Sequence, residues 1–172
     1  IGFGIIWTLI LLSTTLSLKK FYQDDFNDGS IILIFMSGIS LEFIVIIKII
    51  TAWLFFQFPF IIIIPMVCFL LEVDQSKITL LLLTFIIGSP ILTTLSSIAG
   101  AMNLLNDKNI VIGSIIVMLF SIPVIIFSMG VLNAPPEQVR AQLSILLGIL
   151  MLFLAITPWI SAACIRIALR NN

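Results

Sequence analysis

Residues 106–142 read NDKNIVIGSIIVMLFSIPVIIFSMGVLNAPPEQVRAQ. Between the charged turn formers at either end lie 25 residues, Ile110 to Ala134, without one ionisable side chain. A run of roughly 20 apolar residues is what an α-helix needs to cross a hydrocarbon core of about 30 Å. Lipid leaves backbone N–H and C=O groups no water to bond, so a spanning segment must satisfy them within a helix or a closed barrel. Barrel strands would alternate polar and apolar residues over about 10 positions, and this run does not alternate. It therefore reads as a transmembrane helix.

The rest of the chain follows the same pattern. It is 61% hydrophobic and 9% charged, with a mean hydropathy of +1.32, well outside the composition of a water-soluble domain. The breaks EVDQSK (72–77), NDKN (106–109) and PPEQVRAQ (135–142) are short and rich in turn formers. They divide the chain into spans at about 2–18, 45–71, 78–105, 110–134 and 143–169 within one transmembrane domain over residues 1–172. The long third span is expected to kink at Gly88-Ser89-Pro90, because proline removes a backbone donor and clashes with the preceding turn. The fold class expected is an all-α integral membrane protein, a polytopic helical bundle with five spans in this stretch. The first residue is isoleucine, and a further span is expected upstream.

Sidedness follows from basic residues near the span ends. With the first polar stretch inside, Lys19, Lys20, Lys48, Lys108, Arg166 and Arg170 lie on the cytoplasmic face, against Lys77 and Arg140 outside. The net charge is zero and no basic tract is present, so nucleic acid is not an expected partner.

One long polar stretch interrupts the pattern, LKKFYQDDFNDGSIILIFMSGISL at 18–41. Its apolar part, Ile31 to Leu41, is too short to cross and suits an interfacial or re-entrant helix. Gly29-Ser30 offers a turn and an N-cap, and Asp24, Asp25 and Asp28 precede it where negative charge is favoured. Lys48 is placed to snorkel to the headgroups, as is Arg166 at the end of the last span. The segment at about 19–44 is thus a charged, capped hairpin, either a solvated anchor or a docking surface for a soluble partner.

Catalytic signatures are missing. No phosphate loop of the G-x-x-x-x-G-K-[ST] type occurs and no soluble stretch could build a nucleotide-binding domain. There is no histidine, the commonest metal ligand and general base. Cys68 and Cys164 lie in different spans and read as small core residues. Ser96 with Gly100, and Ser97 with Ala101, are small-residue pairs one turn apart that allow close helix packing. Gln57 and Asn103 are candidates for hydrogen bonds between helices, and Pro59, Pro65, Pro123 and Pro158 for bends. Neither an enzyme nor a metal protein is expected.

The run GIIWTLILLSTTLSLKKFYQDDFNDGS (4–30) closely resembles the CcmB family of cytochrome c maturation proteins, also called haem exporter protein B. The likeness continues through Lys48 and Trp53, the G-S-P at 88–90, IPVIIF at 122–127 and TPWISAACIRI at 157–167. It implies the membrane subunit of an ABC-type complex of the ABC-2 permease fold, with six spans in the complete protein. By the resemblance, a separate subunit, CcmA, hydrolyses ATP, two copies of each associate with CcmC and CcmD, and hydrolysis is linked to release of the haem chaperone CcmE. Asp24, Asp25, Asp28, Gly29 and Ser30 would then form the segment that couples to the ATPase. No cofactor is expected to bind directly; ATP acts through the partner, and haem is handled by the complex. The location implied is a bacterial cytoplasmic (inner) membrane or a mitochondrial inner membrane. The alternatives are a permease for another amphiphile and a non-transporting scaffold subunit.

Overall fold

The computed structural model describes residues 4–5, 7–10, 21–70, 75–105 and 110–171. Most of the first run at 2–18, with Lys19 and Lys20, lies outside the described residues, as do Glu72, Asp74 and Lys108.

The described residues form helices and no strands. Residues 4–5 and 7–10 are helical, and two short helices follow, α1 (Gln23–Asn27) and α2 (Ser30–Met36). A long helical column then runs through α3 (Leu41–Ala52), a π-helical turn (Trp53–Gln57) and α4 (Phe58–Leu70). Three further long helices follow, α5 (Gln75–Asn103), α6 (Ile110–Asn133) and α7 (Pro136–Asn171). Among the described residues, four stretches are long and apolar enough to cross a membrane: Leu41–Leu70, Lys77–Asn103, Ile112–Asn133 and Pro136–Asn171. This is a multi-pass helical membrane protein.

Several boundaries differ from the sequence-based ones. The helix expected over Ile31 to Leu41 stops at Met36, because the chain takes a left-handed turn at Gly38 (φ +84°) that side-chain-bearing residues rarely adopt. Leu41 already opens the spanning column. PPEQVRAQ, read as a break, is helical from Pro136 onward. Proline suits the first helical position, where its missing N–H would have no partner in any case. The helix over Gln75–Asn103 passes through Pro90.

The π turn has a local cause. Pro59 carries no N–H and its ring would clash with the carbonyl four residues earlier, so the preceding turn is wound wider. The Phe58 N–H accordingly donates to the Trp53 carbonyl, five residues back.

Helix α5 occupies the centre, packed against α3, α4, α6 and α7. Of its apolar stretch 56% is buried, against 17% for 41–70 and for 136–171. Residues 91–101 are buried without interruption, and they include the small-residue pairs Ser96/Gly100 and Ser97/Ala101. Most hydroxyls here bond back to their own helix: Thr93 donates to the Ser89 carbonyl (3.1 Å), Thr94 to Ile91 (2.7 Å) and Ser96 to Leu92 (2.8 Å). That satisfies groups that would be costly to leave bare in hydrocarbon. The outward faces are apolar, with Phe55, Met66, Phe69 and Trp159 exposed, as suits side chains solvated by lipid.

Short connections make consecutive helices antiparallel. The ends of α5 and α7 therefore return to the end of the bundle where α1 and α2 lie. A buried cluster at that end joins Phe21, Tyr22 and Ile31 to Leu41 and Val45 of α3, Ala101 of α5 and Ile165 of α7. A second cluster runs along the remaining length of the bundle, from Cys68, Leu81 and Leu146 to Ala99 and Val117. Cys68 is buried, Cys164 half-buried, and both are free thiols.

Candidate functional site

The acidic hairpin is built from the turn outward. Gly29 sits at φ +72° and caps α2 through its backbone, with no side-chain hydrogen bond. Ser30 is thus the first residue of α2 and not its side-chain cap, a correction to the expected role. Asp24 and Asp25 lie in the first turn of α1, where they oppose the positive end of its small dipole. Asp28 closes α1, its N–H donating to the Asp24 carbonyl at 2.9 Å.

The three aspartates do different things. Asp24 and Asp28 are exposed, whereas Asp25 is partly buried and forms an ion pair with Lys48 of α3. Lys48 therefore turns inward to the hairpin instead of snorkelling freely. Its ammonium also lies 5.0 Å from the centre of the Tyr22 ring, an arrangement favoured by the negative face of the aromatic. Lys48 stands about 10 Å along a column of about 45 Å, by the helical rise of 1.5 Å per residue. That column exceeds the hydrocarbon thickness, which leaves room for the pair near the interface.

Tyr22 anchors the hairpin from beneath. It is 1% exposed, and its hydroxyl lies 2.7 Å from the Ser97 hydroxyl of α5, in hydrogen-bonding contact. Ser97 is in turn 3.2 Å from the Ser161 hydroxyl of α7. Burial pushes the Tyr22 phenol above its ordinary value, against the smaller opposite pull of the two serines, so it stays protonated. The hairpin is fixed by one ion pair to α3 and by one hydroxyl cluster to α5 and α7.

A second tie closes the same end. The Arg166 guanidinium of α7 donates to Glu42 Oε1 of α3 at 3.2 Å. Sequence reasoning placed Arg166 as a free anchor and missed this partner, which stands 124 positions away in the chain.

Two clefts of about 360 Å³ and 320 Å³ flank the Lys48–Asp25 pair. Phe21, Asp24, Phe55 and Phe56 line the first, Ile34, Phe43 and Ile47 the second, and Asp25, Lys48 and Thr51 belong to both. Among the described residues no group of three or more His, Cys, Asp or Glu is placed to hold a metal ion.

The other motif residues meet deeper in the bundle. Trp53 Nε1 donates to Ser89 Oγ at 2.9 Å, and Trp7 covers Gly88, where a β-carbon would fall 2.5 Å from its ring. Both tryptophans thus converge on the G-S-P element of α5. Gln57, expected to bond across helices, is buried, and its Oε1 has no hydrogen-bond partner among the described residues. Asn103 is buried too.

Comparison with known proteins covers the same extent. The family model described as CcmB protein matches residues 1–168. Heme exporter protein B of Haemophilus influenzae is 32% identical over 170 residues, covering 98% of this chain and 77% of that protein. Its counterpart in Bradyrhizobium diazoefficiens is 31% identical over 169 residues, covering 96% and 76%, and that of Pseudomonas aeruginosa 28% over 167 residues, covering 96% and 75%. The match takes in the acidic hairpin, both tryptophans and the helix they converge on, and by it this multi-pass membrane chain belongs to the CcmB family.

Proposed function

We propose that this chain is the membrane permease subunit of a haem-handling export complex in an inner membrane, and that its acidic hairpin docks a separate ATP-hydrolysing subunit, CcmA. The observation that carries the reading is the division of labour among the aspartates: Asp25 is tied to Lys48, while Asp24, at the cleft beside that pair, and Asp28 are exposed. A loop that only solvates a bend needs no such tie. A docking element does, because a push on its outer face must reach the spans without being absorbed by the loop. The relatives' name, Heme exporter protein B, supports haem as the cargo of the complex. CcmC, CcmD, the chaperone CcmE and a second copy of this chain complete the assembly in this reading. These 172 residues hold neither a phosphate loop nor a histidine, and in this reading ATP acts through the partner.

The test replaces charge on the two exposed aspartates alone. Asp24→Asn with Asp28→Asn leaves the Asp25–Lys48 pair in place and is expected to weaken co-purification of the ATPase and to lower cytochrome c assembly. Glu72→Gln with Asp74→Asn, in the connection between α4 and α5, is the matched control and is expected to leave both near normal. Equal behaviour of the two double variants would overturn the docking reading.

A further inference from the structure

We infer that the Tyr22 hydroxyl, with Ser97 and Ser161, is the junction through which movement of the hairpin is passed to α5 and α7; this rests on the docking reading above. Among the described residues the hairpin has two polar attachments to the bundle beside its apolar packing, and they are chemically unlike. The Asp25–Lys48 pair is partly open, with 45% of the Asp25 side chain exposed, and binds the hairpin to α3, the helix that directly follows it. The Tyr22 cluster is fully buried and reaches helices 75 and 139 positions further along the chain. Tyr22 to Ser97 is 2.7 Å and Ser97 to Ser161 is 3.2 Å, so one phenol ties the hairpin to two helices that are themselves bonded through their serines.

Ser97 is placed differently from the hydroxyls around it. Thr93, Thr94 and Ser96 donate to carbonyls of their own helix, which is the usual way a buried hydroxyl in a helix is satisfied. Ser97 instead turns across the interface. Ser161 stands just past Pro158 in α7, where an interrupted backbone ladder lets the two parts of a helix move relative to one another. Lys48 completes the path at the other end, its ammonium over the Tyr22 ring. The continuous sequence is thus Asp25, Lys48, Tyr22, Ser97, Ser161. A displacement of the hairpin that breaks the phenol's contact leaves Ser97 and Ser161 bonded to each other alone and releases α5 and α7 from the hairpin at this level. The junction is a discrete contact with made and broken states, which is what an element must be to transmit a conformational change.

Tyr22→Phe tests this, since it keeps the ring and its packing and removes only the hydroxyl; Ser97 and Ser161 remain within reach of each other. In the intact complex in membrane vesicles, the ATPase is expected to co-purify as in the wild type. The number of cytochromes c assembled per ATP hydrolysed is expected to fall about fivefold or more, the lower range of measured couplings between sites. Ser161→Ala should do the same, and the double variant should be no worse than either single one, because all interrupt one path. An unchanged yield per ATP, or additive losses in the double variant, would overturn the junction. So would loss of the ATPase or of the protein itself from the membrane in both single variants, which would make the hydroxyls a matter of folding alone. Retention of the ATPase by Asp24→Asn with Asp28→Asn, by contrast, strikes the docking reading and is read independently.

Discussion

Trp53 and Ser89 are joined by a hydrogen bond of 2.9 Å from the indole Nε1 to the serine hydroxyl, and Trp53 is the residue that opens the π turn. The wider turn over Trp53–Gln57 lies immediately before the proline-bearing α4, and an extra residue in one turn rotates every side chain that follows. Ser89 precedes Pro90 in α5, so the bond joins the π turn to the residue before a helical proline across the interface.

That bond is expected to be energetically real but modest. Trp53→Phe and Ser89→Ala, made singly and together, should show a coupling of about 1 kcal/mol in detergent unfolding, the net worth of a typical intramolecular hydrogen bond. Strictly additive losses would mean that the indole packs there for its area alone.

Close approach at Gly88 sets a second expectation. A β-carbon there would stand 2.5 Å from the Trp7 ring and 3.5 Å from Ser128 Oγ, so Gly88→Ala should destabilise by about 1–3 kcal/mol through overpacking. Gly148 of α7 has no atom within 4 Å of the same position. Gly148→Ala should therefore gain about 0.5–1 kcal/mol from reduced backbone entropy. Thermal unfolding of the two variants side by side checks both signs, and a stabilised Gly88→Ala would show that the indole is free to move aside.

Sidedness is open to direct labelling. With Cys68 and Cys164 replaced by alanine, Gln75→Cys and Asp107→Cys should react with a membrane-impermeant thiol reagent from opposite faces, because a helix of 29 residues, Gln75–Asn103, separates them. At 1.5 Å per residue it is about 43 Å long, enough to cross the bilayer. Labelling of both from one side would show that α5 does not span.

Much of this protein is legible in its sequence because the signals involved are local. Uncharged runs bounded by turn formers mark the helices, since hydrocarbon tolerates little else. The acidic turn stands out as the long polar stretch, and Gly29 does take the left-handed conformation that its turn requires, whereas the left-handed turn at Gly38 falls inside the stretch expected to be helical. Boundaries at Leu41 and Pro136 were less legible, because one short apolar run can end one helix and begin the next, and because proline both breaks helices and starts them. The likeness to the CcmB family was legible from the order and spacing of motifs that are individually unremarkable.

Which polar groups meet was decided only by the tertiary structure. Glu42 and Arg166, Tyr22 and Ser97, Ser97 and Ser161, and Trp53 and Ser89 are 124, 75, 64 and 36 positions apart. Hydropathy carries no information on such pairings when a helix is apolar on every side, because no stripe marks the face that turns inward. In water that face is chosen by the hydrophobic effect; between helices in lipid it is chosen by close packing of small residues and by the few polar groups that must find partners. For this chain those groups include Asp25, Lys48, Tyr22, Ser97, Ser161, Glu42 and Arg166, and their positions in space sort the acidic turn into one aspartate that anchors and two that are exposed.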